Sequence, residues 1–373
     1  MRIISIIENL DKGAVENWLI NCFIESKKTR PDWEWTFYCI LGRPGVLDDK
    51  VKEHGGIIMY SPCTISDKFR FLRSLRKTLK FGQYDILHSH HDYLSGFYLI
   101  ATHGLKFKKR ILHIHNTDKA LPVGNRIFEK VLLPPLRWLG IHYSDIIVGI
   151  SKHTLAKFIG KSPVHTKRII VLYYGIDLAR FEIENGQEAF RSDLNLPSDA
   201  RLLIFSGRMN YLKNPVFVLE VLKELNHKDH NFYALFAGEG ELLSEVEATA
   251  IQLNILDHIR LLGWRTDLSK IMLNADIFIF PRLEEPKEGL GLVVVEAQAA
   301  GLPMILSNGI VPDAIEISEL AEFIPLRNNA VEWADKILGM TRKLSKAQAL
   351  DRMINSKFAL PKATENLIKL YEN

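Results

Sequence analysis

The chain has 373 residues, of which 47% are hydrophobic and 25% charged, with a formal net charge of +4. This composition excludes disordered and fibrous proteins, and at about 150 residues per domain the length predicts two domains. The net charge hides a division, because residues 1–175 carry +12 and residues 176–373 carry −8. No apolar run approaches the ~18 residues of a membrane-spanning helix, the first apolar run is too short for a signal peptide, and the three cysteines show no disulfide or zinc spacing. We therefore expect a cytoplasmic protein.

Short apolar runs rich in β-branched residues alternate with amphipathic stretches along the whole chain. This alternation is typical of a parallel sheet with helices on both faces. In the first half the predicted strands are 2–7, 34–40, 85–88, 110–114, 145–150 and 169–172. In the second half they are 202–206, 233–237, 259–262, 276–280 and 303–306. The predicted fold class is therefore α/β, with two Rossmann-like domains, each containing a doubly wound parallel sheet.

The domain boundary is predicted near residue 175, because the stretch 182–199 is polar and poor in hydrophobic residues. We predict an N-terminal domain at 1–175 and a C-terminal domain at 176–355. The segment 356–373 is predicted to form a separate amphipathic helix with apolar residues at helical spacing.

Residues 66–81 combine an apolar stripe with a strongly basic remainder. The stripe consists of Phe69, Leu72, Leu75 and Leu79. This pattern is typical of a helix that lies on an anionic membrane surface. It is equally typical of a helix whose stripe packs against a sheet and whose basic face is solvated. We hypothesise that this segment contacts an anionic membrane surface, so that the protein is peripheral on the cytoplasmic membrane.

The densest motif begins at Glu288 and follows the predicted strand 276–280. Gly289 and Gly291 lie where a loop turns into a helix, and the free N–H groups of a helix start can bind phosphate. Glu296 falls on the second turn, roughly 8 to 10 Å along the axis from the helix start. A carboxylate at that distance can accept both hydroxyls of a ribose. The alternative is an ordinary strand, loop and helix with a solvated glutamate.

A second motif places Arg208 and Lys213 directly after the predicted strand 202–206. In a doubly wound domain, this position is the carboxyl edge of the sheet, where ligands bind. Arginine binds phosphate in a bidentate manner and lysine adds a point charge. By itself, such a pair is more often a surface feature. Together with the Glu288 loop, it predicts a diphosphate site.

Further motifs occur in a definite order along the chain. In the second half they are Gly207-Arg208 with Lys213, Ala237-Gly238-Glu239-Gly240, Leu262-Gly263-Trp264, and Glu288 with Glu296 and Gly301-Leu302-Pro303. In the first half they are Asp85-Ile-Leu-His88-Ser-His90, Leu112-His-Ile-His115-Asn116, Ser144-Asp145 with Ser151-Lys152, and Tyr174-Gly175-Ile176-Asp177. This ordered set resembles the retaining glycosyltransferases of family 4, which have the GT-B fold. The resemblance covers nearly the whole chain.

The resemblance implies an enzyme that moves a sugar from a nucleoside-diphosphate sugar, in this family most commonly a UDP-sugar, with retention of configuration. The implied acceptor is a saccharide or a lipid-linked saccharide in the synthesis of cell-surface polysaccharide or lipopolysaccharide. The implied active cleft lies between the N-terminal domain, which serves the acceptor, and the C-terminal domain, which binds the nucleotide sugar. The resemblance also implies that the C-terminal helix within 356–373 crosses back to pack on the N-terminal domain. We expect no permanently bound cofactor and no essential metal, because basic residues and a helix start already carry the charge and no Asp-x-Asp motif lies beside a strand.

The resemblance also implies roles for individual residues. Glu296 binds the ribose, and Glu288 lies against the donor sugar. Arg208 and Lys213 neutralise the diphosphate, and His115 lies near the sugar or the incoming hydroxyl. Further contacts to the nucleotide sugar are implied for Gly13, Gly238, Gly291 and Leu292. The implied catalytic residues are thus Glu288, His115, Arg208 and Lys213.

The sequence departs from the family pattern at three places. Ala14 stands where a second glycine is usual, Tyr174 where asparagine is usual, and Asp313 where glutamate is common. The methyl group of Ala14, which a glycine lacks, hinders a close backbone approach at that position. None of the three removes an implied diphosphate or ribose contact.

Other functions remain open at this point. Another GT-B enzyme, such as a sugar-nucleotide epimerase, fits the same motifs, whereas a phosphorylase needs a much longer chain. A metal-dependent hydrolase is a more distant alternative, since His88, His90 and His91 could bind metal. A nucleic-acid partner is not expected, because no RNP, zinc-finger or helix-turn-helix signature is present despite the +12 charge of the first half.

Overall fold

A computed structural model describes residues 1–11, 13–116, 126–160, 168–182, 187–228 and 231–373. The chain divides into two compact units. Unit 1 comprises Met1–Ile176 with Leu360–Asn373, and unit 2 comprises Asp177–Ala359. The division after Ile176 lies one residue from the predicted boundary. The second division lies four residues beyond the predicted one at 355, so residues 356–359 belong to unit 2.

The described residues of unit 1 form a seven-stranded parallel sheet in the order β3-β2-β1-β4-β5-β6-β7. The strands are β1 (Arg2–Ile7), β2 (Glu34–Cys39), β3 (Ile57–Tyr60), β4 (Ile86–Ser89), β5 (Lys109–Ile114), β6 (Ile146–Gly149) and β7 (Arg168–Val171). The central strands are buried along almost their whole length because helices cover both faces of a parallel sheet.

The helices of unit 1 connect successive strands, and the last one returns from the end of the chain. They are α1 (Ala14–Ser26), α2 (Asp48–Glu53), α3 (Lys68–Gly82), α4 (Ser95–Leu99), α5 (Arg126–Tyr143), α6 (Lys152–Ile159) and α14 (Leu360–Glu372). Helix α14 packs against α1, so the amphipathic C-terminal segment covers its apolar side within unit 1. None of the helices in the described residues has the length and apolar character needed to cross a membrane.

Helix α3 corrects one expectation about the basic segment. The side chains that face the core are Phe71, Leu75 and Leu79, with Leu72 partly buried, whereas Phe69 is 91% exposed. The predicted stripe was therefore wrong at Phe69, because the helix turns Phe71 toward the sheet. The apolar stripe packs on the core, as the alternative interpretation held, and cannot itself enter a membrane.

The described residues of unit 2 form a six-stranded parallel sheet in the order β10-β9-β8-β11-β12-β13. Its strands are β8 (Arg201–Ser206), β9 (Phe232–Ala237), β10 (Ile259–Gly263), β11 (Ile277–Phe280), β12 (Met304–Leu306) and β13 (Ala321–Phe323). Its helices are α7 (Gln187–Asp193), α8 (Pro215–Lys228), α9 (Leu243–Gln252), α10 (Leu268–Asn274), α11 (Leu292–Ala299), α12 (Ala330–Gly339) and α13 (Lys346–Ile354). Residues 183–186 of the predicted linker lie outside the described residues.

The predicted α/β class with two doubly wound parallel sheets is confirmed. Each of the eleven predicted strands overlaps an observed one, with ends that differ by at most one residue. The strands that the sequence did not predict, β3 and β13, both lie at the edge of a sheet. In each unit the parallel arrangement brings the loops after the strands to one edge, where the candidate residues are found.

Candidate active site

The loops after β8 and β9 lie backbone to backbone at the carboxyl edge of the unit 2 sheet. The amide of Gly207 donates to the carbonyl of Ala237 at 3.0 Å, and the amide of Met209 donates to the carbonyl of Glu239 at 2.8 Å. A Cβ atom on Gly238 would lie 2.0 Å from the carbonyl oxygen of Gly207, and its φ of +142° also favours glycine. Gly238 thus has a packing role, and its contact with nucleotide stays a prediction.

Arg208 leaves this rigid backbone with its side chain exposed. Within the described part of the chain, its guanidinium makes neither an ion pair nor a side-chain hydrogen bond. A planar guanidinium with free donors matches the oxygens of a phosphate. Arg208 is therefore available to an anionic ligand without first breaking a contact.

Lys213 is paired, unlike Arg208. Its Nζ lies 2.5 Å from Oε2 of Glu288, and both side chains are largely buried. Lys213 lies between β8 and α8, and Glu288 lies between β11 and α11. Because β8 and β11 are neighbouring strands, this ion pair joins the two loops that carry the predicted diphosphate and sugar contacts. The structure therefore brings these two motifs together.

Glu288 has a second cationic partner, Arg282, that the sequence analysis missed. The Nε atom of Arg282 lies 2.5 Å from the same Oε2 atom. Burial would raise the pKa of Glu288, but Lys213 and Arg282 hold that pKa below its usual value. Glu288 is therefore ionised at neutral pH, and it can accept hydrogen bonds from sugar hydroxyls but has no proton to donate.

The turn into α11 is built on Gly291. Its φ of +83° lies in the left-handed region, and a Cβ atom there would come within 3.3 Å of the Glu288 side chain. Leu292 is the first residue of α11, so its amide lies among the N–H groups that have no partner within a helix. The predicted loop-to-helix turn is confirmed, and its role in phosphate binding stays a prediction.

Glu296 lies on the second turn of α11. Burial raises the pKa of its carboxyl to about 7, and the positive charge of Arg180 lowers it only in part. No hydrogen bond or ion pair to this carboxylate occurs within the residues that the structure describes. A partly buried acid without a partner costs free energy when it ionises, and a ligand with two hydroxyls would supply the missing donors.

The carboxyl edge of the unit 1 sheet holds four buried histidines in two layers. In one layer His88 Nε2 lies 3.1 Å from His113 Nδ1, and in the other His90 Nδ1 lies 3.2 Å from His115 Nε2. The layers pack against each other at a tilt. The ring centroids of His88 and His90 are 3.9 Å apart at 36°, and those of His113 and His115 are 4.1 Å apart at 33°. Burial lowers the pKa of all four, so the cluster is uncharged at neutral pH.

Tyrosine hydroxyls pair with one end of each layer. The Tyr371 hydroxyl lies 2.7 Å from His88 Nδ1, and the Tyr174 hydroxyl contacts His115 Nδ1. Both nitrogens of His115 therefore have protein partners, and the ring is 4% exposed. In this arrangement His115 offers no free nitrogen to a sugar or an incoming hydroxyl. Its catalytic assignment stays a prediction that requires Tyr174 or His90 to turn away.

The histidine cluster was also the basis of the metal-hydrolase alternative. Ligand atoms of His88, His90 and His113 lie within 4.8 Å of one another, but His91 is not part of this group and pairs with Tyr98 instead. Rings that share a hydrogen bond are nearly coplanar, at 5° and 23°, so their nitrogens are directed at each other. These bonds occupy both nitrogens of His88, whereas within the described residues Nε2 of His90 and Nε2 of His113 are buried without a partner. Because His88 has no nitrogen left for an ion, the three residues do not together offer free ligands, and the geometry favours a hydrogen-bonded core over a metal centre.

Two family models match the chain in succession. The model described as Glycosyltransferase Family 4 matches residues 33–180, and the one described as Glycosyl transferases group 1 matches residues 186–359. Together these matches span most of both units. The chain belongs to glycosyltransferase family 4.

Curated relatives of this family 4 glycosyltransferase have low sequence identity to it but match it over most of their length. The putative glycosyltransferase EpsF of Bacillus subtilis is 27% identical over 340 residues, which is 90% of this chain and 86% of the relative. The UDP-Gal:alpha-D-GlcNAc-diphosphoundecaprenol alpha-1,3-galactosyltransferase of Escherichia coli is 26% identical over 266 residues, which is 70% of this chain and 67% of the relative.

Solved structures share the fold of this glycosyltransferase. Anabaena HepE in complex with UDP aligns with a TM-score of 0.79 at 15% identity, over 99% of both chains. The lipopolysaccharide glycosyltransferase WaaG aligns with a TM-score of 0.71 at 15% identity, over the full length of both chains. At this identity the likeness establishes the GT-B fold, as the sequence motifs predicted.

Within the family 4 glycosyltransferase, the predicted donor residues are found at one sheet edge. Arg208 and Lys213 follow β8, and Glu288 and Glu296 lie in and after the loop that follows β11. The remaining predicted contact, Gly13, lies in unit 1 and caps α1.

The Glu16 carboxylate covers Gly13, since a Cβ atom on Gly13 would lie 2.0 Å from its Oε2 atom. Burial, with the nearby charges of Glu8 and Asp11, raises the pKa of Glu16 to about 7. A phosphate approaching Gly13 would therefore meet an acidic side chain. The predicted donor contact at Gly13 stays a prediction and needs Glu16 to be protonated or displaced.

Proposed function

We propose that this enzyme transfers a sugar, with retention of anomeric configuration, from a UDP-sugar to a saccharide or lipid-linked acceptor in cell-surface polysaccharide or lipopolysaccharide synthesis. The observation that carries the proposal is the state of the carboxyl edge of unit 2. Arg208 and Glu296 are charged or chargeable groups without partners in the described residues, on either side of the Lys213–Glu288 ion pair in sequence. A free cation and a free hydrogen-bond acceptor complement the phosphates and the hydroxyls of a nucleoside diphosphate sugar.

The parts of a nucleotide sugar match these groups one by one. The diphosphate takes Arg208 and the N–H groups at the start of α11, where the helix dipole is positive. The ribose hydroxyls donate to Glu296. The sugar hydroxyls donate to the ionised Glu288. Fixed donors around the departing diphosphate stabilise its developing negative charge without reorganisation during the reaction.

The choice of UDP rests on relatives. The HepE structures contain UDP and, in another complex, UDP-glucose, and the name of the Escherichia coli relative specifies UDP-Gal and a diphosphoundecaprenol acceptor. These facts belong to those proteins. They support a uridine nucleotide and a lipid-linked acceptor here.

Retention is what the family motifs imply, and the state of Glu288 bears only on the route by which configuration is kept. A double displacement needs a carboxylate that is free to attack the anomeric carbon, but Glu288 shares one oxygen with both Lys213 and Arg282. We therefore favour attack of the acceptor on the same face that the diphosphate leaves. In that step the departing phosphate oxygen takes the proton of the acceptor hydroxyl.

The test is a transfer assay with purified protein, a panel of nucleotide sugars, and saccharide and polyprenyl-diphosphate-saccharide acceptors. We expect transfer from a UDP-sugar, and NMR coupling constants should show that the α or β configuration of the donor is kept in the product. Inverted product would contradict retention. Conversion of the nucleotide sugar without any acceptor would instead show an epimerase.

The acceptor side of the proposal involves the outward face of α3. After the N-cap residue Asp67, this helix carries no acidic residue. The face opposite the buried Phe71, Leu75 and Leu79 carries the exposed side chains of Arg70, Arg73, Lys77, Lys80 and, at its flanks, Phe69 and Phe81. Exposed cations between aromatic side chains are the pattern that binds anionic lipid surfaces. We propose that this face, rather than the originally predicted stripe, places the enzyme on the cytoplasmic membrane.

Vesicle co-sedimentation tests the membrane proposal. We expect recovery with vesicles that contain anionic lipid, little recovery with neutral vesicles, and loss of binding as salt rises. The triple variant R70Q/R73Q/K77Q should lose most of this binding. The charge-matched control R327Q/R342Q/K343Q removes three exposed cations of unit 2 and should keep it. Equal recovery with neutral and anionic vesicles would overturn the membrane proposal.

A further inference from the structure

Arg282 occupies an unusual place for an arginine. It is the second residue after β11, and its side chain is only 4% exposed. Its guanidinium donates to the backbone carbonyl of Leu283 at 2.8 Å and to that of Pro286, in addition to Glu288. These bonds hold Arg282 in the centre of the loop that carries Glu288, so this guanidinium is fixed by the loop backbone.

The surrounding backbone is equally fixed. The amide of Glu288 donates to the carbonyl of Gly309 at 2.8 Å, and Ser307 donates through its hydroxyl to the carbonyl of Arg282. A Cβ atom on Gly309 would lie 2.3 Å from the carbonyl oxygen of Leu283. The loop between β11 and α11 therefore has little freedom to move Arg282 away from Glu288.

Lys213 is held less firmly than Arg282. Its Nζ contacts the same Glu288 oxygen, but its side chain is 19% exposed, and within the described residues its other side-chain interaction is with the ring of Phe280 at 5.2 Å. An ammonium on a flexible stem can leave one anion for another, whereas a guanidinium with three fixed acceptors cannot. Of the two cations on Glu288, Lys213 is the one able to move.

The proposed function gives Lys213 a reason to move, because the donor diphosphate needs a second cation beside Arg208. If Lys213 were the sole partner of Glu288, its departure would leave a buried carboxylate without a countercharge, which is strongly unfavourable. With Arg282 in place, Glu288 keeps a partner and its position. Arg282 therefore lowers the free energy that is needed to move Lys213 away from Glu288.

We propose that Arg282 is a positioning residue that keeps Glu288 paired and in place while Lys213 shifts from Glu288 to the diphosphate of the donor. This inference rests on the proposed function. The inference goes beyond the proposed function in one respect. Because two cations share the Glu288 carboxylate, one of them, Lys213, can leave for the ligand while the other remains. Arg282 itself does not contact the donor.

A double-mutant cycle of UDP affinity, measured by isothermal titration calorimetry, tests the proposal. We expect R282Q to weaken UDP binding by about tenfold or more, since Glu288 then retains Lys213. In the E288Q background Lys213 has no anion to leave, so R282Q should change UDP affinity by less than about threefold. R282K keeps a charge beside Glu288 but loses the fork that bonds the carbonyls of Leu283 and Pro286, so it should bind UDP more tightly than R282Q and more weakly than wild type.

The outcomes separate the proposal from a structural role. An equal loss of UDP affinity from R282Q in both backgrounds, or no loss in either, overturns it. If R282Q does not fold, R282K in the wild-type and E288Q backgrounds decides, because an equal loss of UDP affinity in both backgrounds means that the pairing with Glu288 is not what matters. Wild-type protein that binds neither UDP nor a UDP-sugar overturns the proposed function as well, whereas normal wild-type binding with an unaffected R282Q overturns this inference alone.

Discussion

The carboxyl edges of the two sheets hold their polar groups in opposite states. In unit 1 the edge consists of four uncharged histidines, most of whose nitrogens pair with one another or with Tyr174 and Tyr371. In unit 2 the edge presents Arg208 and Glu296 without partners in the described residues. Within the described residues, the unit 1 edge is satisfied by the protein except at Nε2 of His90 and Nε2 of His113, which are buried without a partner. The unit 2 edge leaves both a cation and an acid without one.

The difference shows where ligand binding can supply the most free energy. A buried polar group that is already paired gains little from a new partner, whereas a desolvated group without one is relieved when a ligand provides it. Stability at the unit 1 edge and binding at the unit 2 edge should therefore respond differently to substitution. Variants that affect one property without the other would sharpen this contrast.

The largest effect is expected from removal of the free guanidinium. Arg208→Ala should lower the rate of sugar transfer by about 10²- to 10³-fold, the usual range for one group that stabilises developing charge. The melting temperature should stay unchanged, because Arg208 makes no contact that stabilises the described structure. Initial rates at saturating donor and a thermal melt check both parts.

Arg342→Ala is the matched control, since Arg342 is also exposed and lies on the segment between α12 and α13. It should transfer sugar at the wild-type rate. Wild-type activity in Arg208→Ala, or an equal loss in both variants, would remove Arg208 from the donor site.

A smaller effect is expected from substitution of Glu296, and it has opposite signs for ligand affinity and for stability. Glu296→Gln should weaken UDP-sugar binding at pH 8 by about tenfold or more, since a carboxylate accepts from two hydroxyls more strongly than an amide does. The same variant should melt at a higher temperature than wild type at pH 8. The exposed Glu247→Gln serves as control and should change neither property.

The pH dependence of these effects follows from the raised pKa of Glu296, about 7 instead of 4.5. Above pH 7 the carboxyl is ionised in the folded protein, so it destabilises the fold and is ready to accept hydroxyls. Below pH 7 it takes up a proton, and UDP-sugar affinity should fall by up to about tenfold per pH unit. A UDP-sugar is the right probe because its diphosphate has no ionisation in this range. A flat profile in wild type would contradict the assignment, and the gain in melting temperature of Glu296→Gln should shrink as pH falls toward 5.

Most of the architecture could be predicted from the sequence, because buried parallel strands are continuous apolar runs. The two strands that were missed, β3 and β13, are short and lie at sheet edges. Strand β13 (Ala321–Phe323) has a weak apolar signal, whereas β3 (Ile57–Tyr60) is apolar throughout but only four residues long. Family motifs located Arg208, Lys213, Glu288 and Glu296. Those motifs identified the residues but did not show which of their charges are already paired within the protein.

Two features of the site had no signal in the sequence. Arg282 is a single arginine in a loop, and only the folded backbone brings its guanidinium to Glu288. Tyr174 was noticed as a departure from the family pattern, but its contact with His115 joins residues 59 apart. Contacts over such distances depend on strand order and side-chain orientation, which residue spacing does not specify.

The smallest effect on binding is expected at the satisfied edge. Tyr174→Phe removes the hydroxyl that contacts His115 Nδ1 and leaves a buried nitrogen unpaired, which should cost about 1 to 3 kcal/mol of unfolding free energy. UDP affinity should stay within about twofold of wild type, since this edge supplies no charge to the nucleotide. Tyr143→Phe is the control, because the Tyr143 hydroxyl has no hydrogen bond within the described residues. A loss of UDP affinity in Tyr174→Phe without a loss of stability would reverse the contrast between the two edges and place the histidine layers in the donor site.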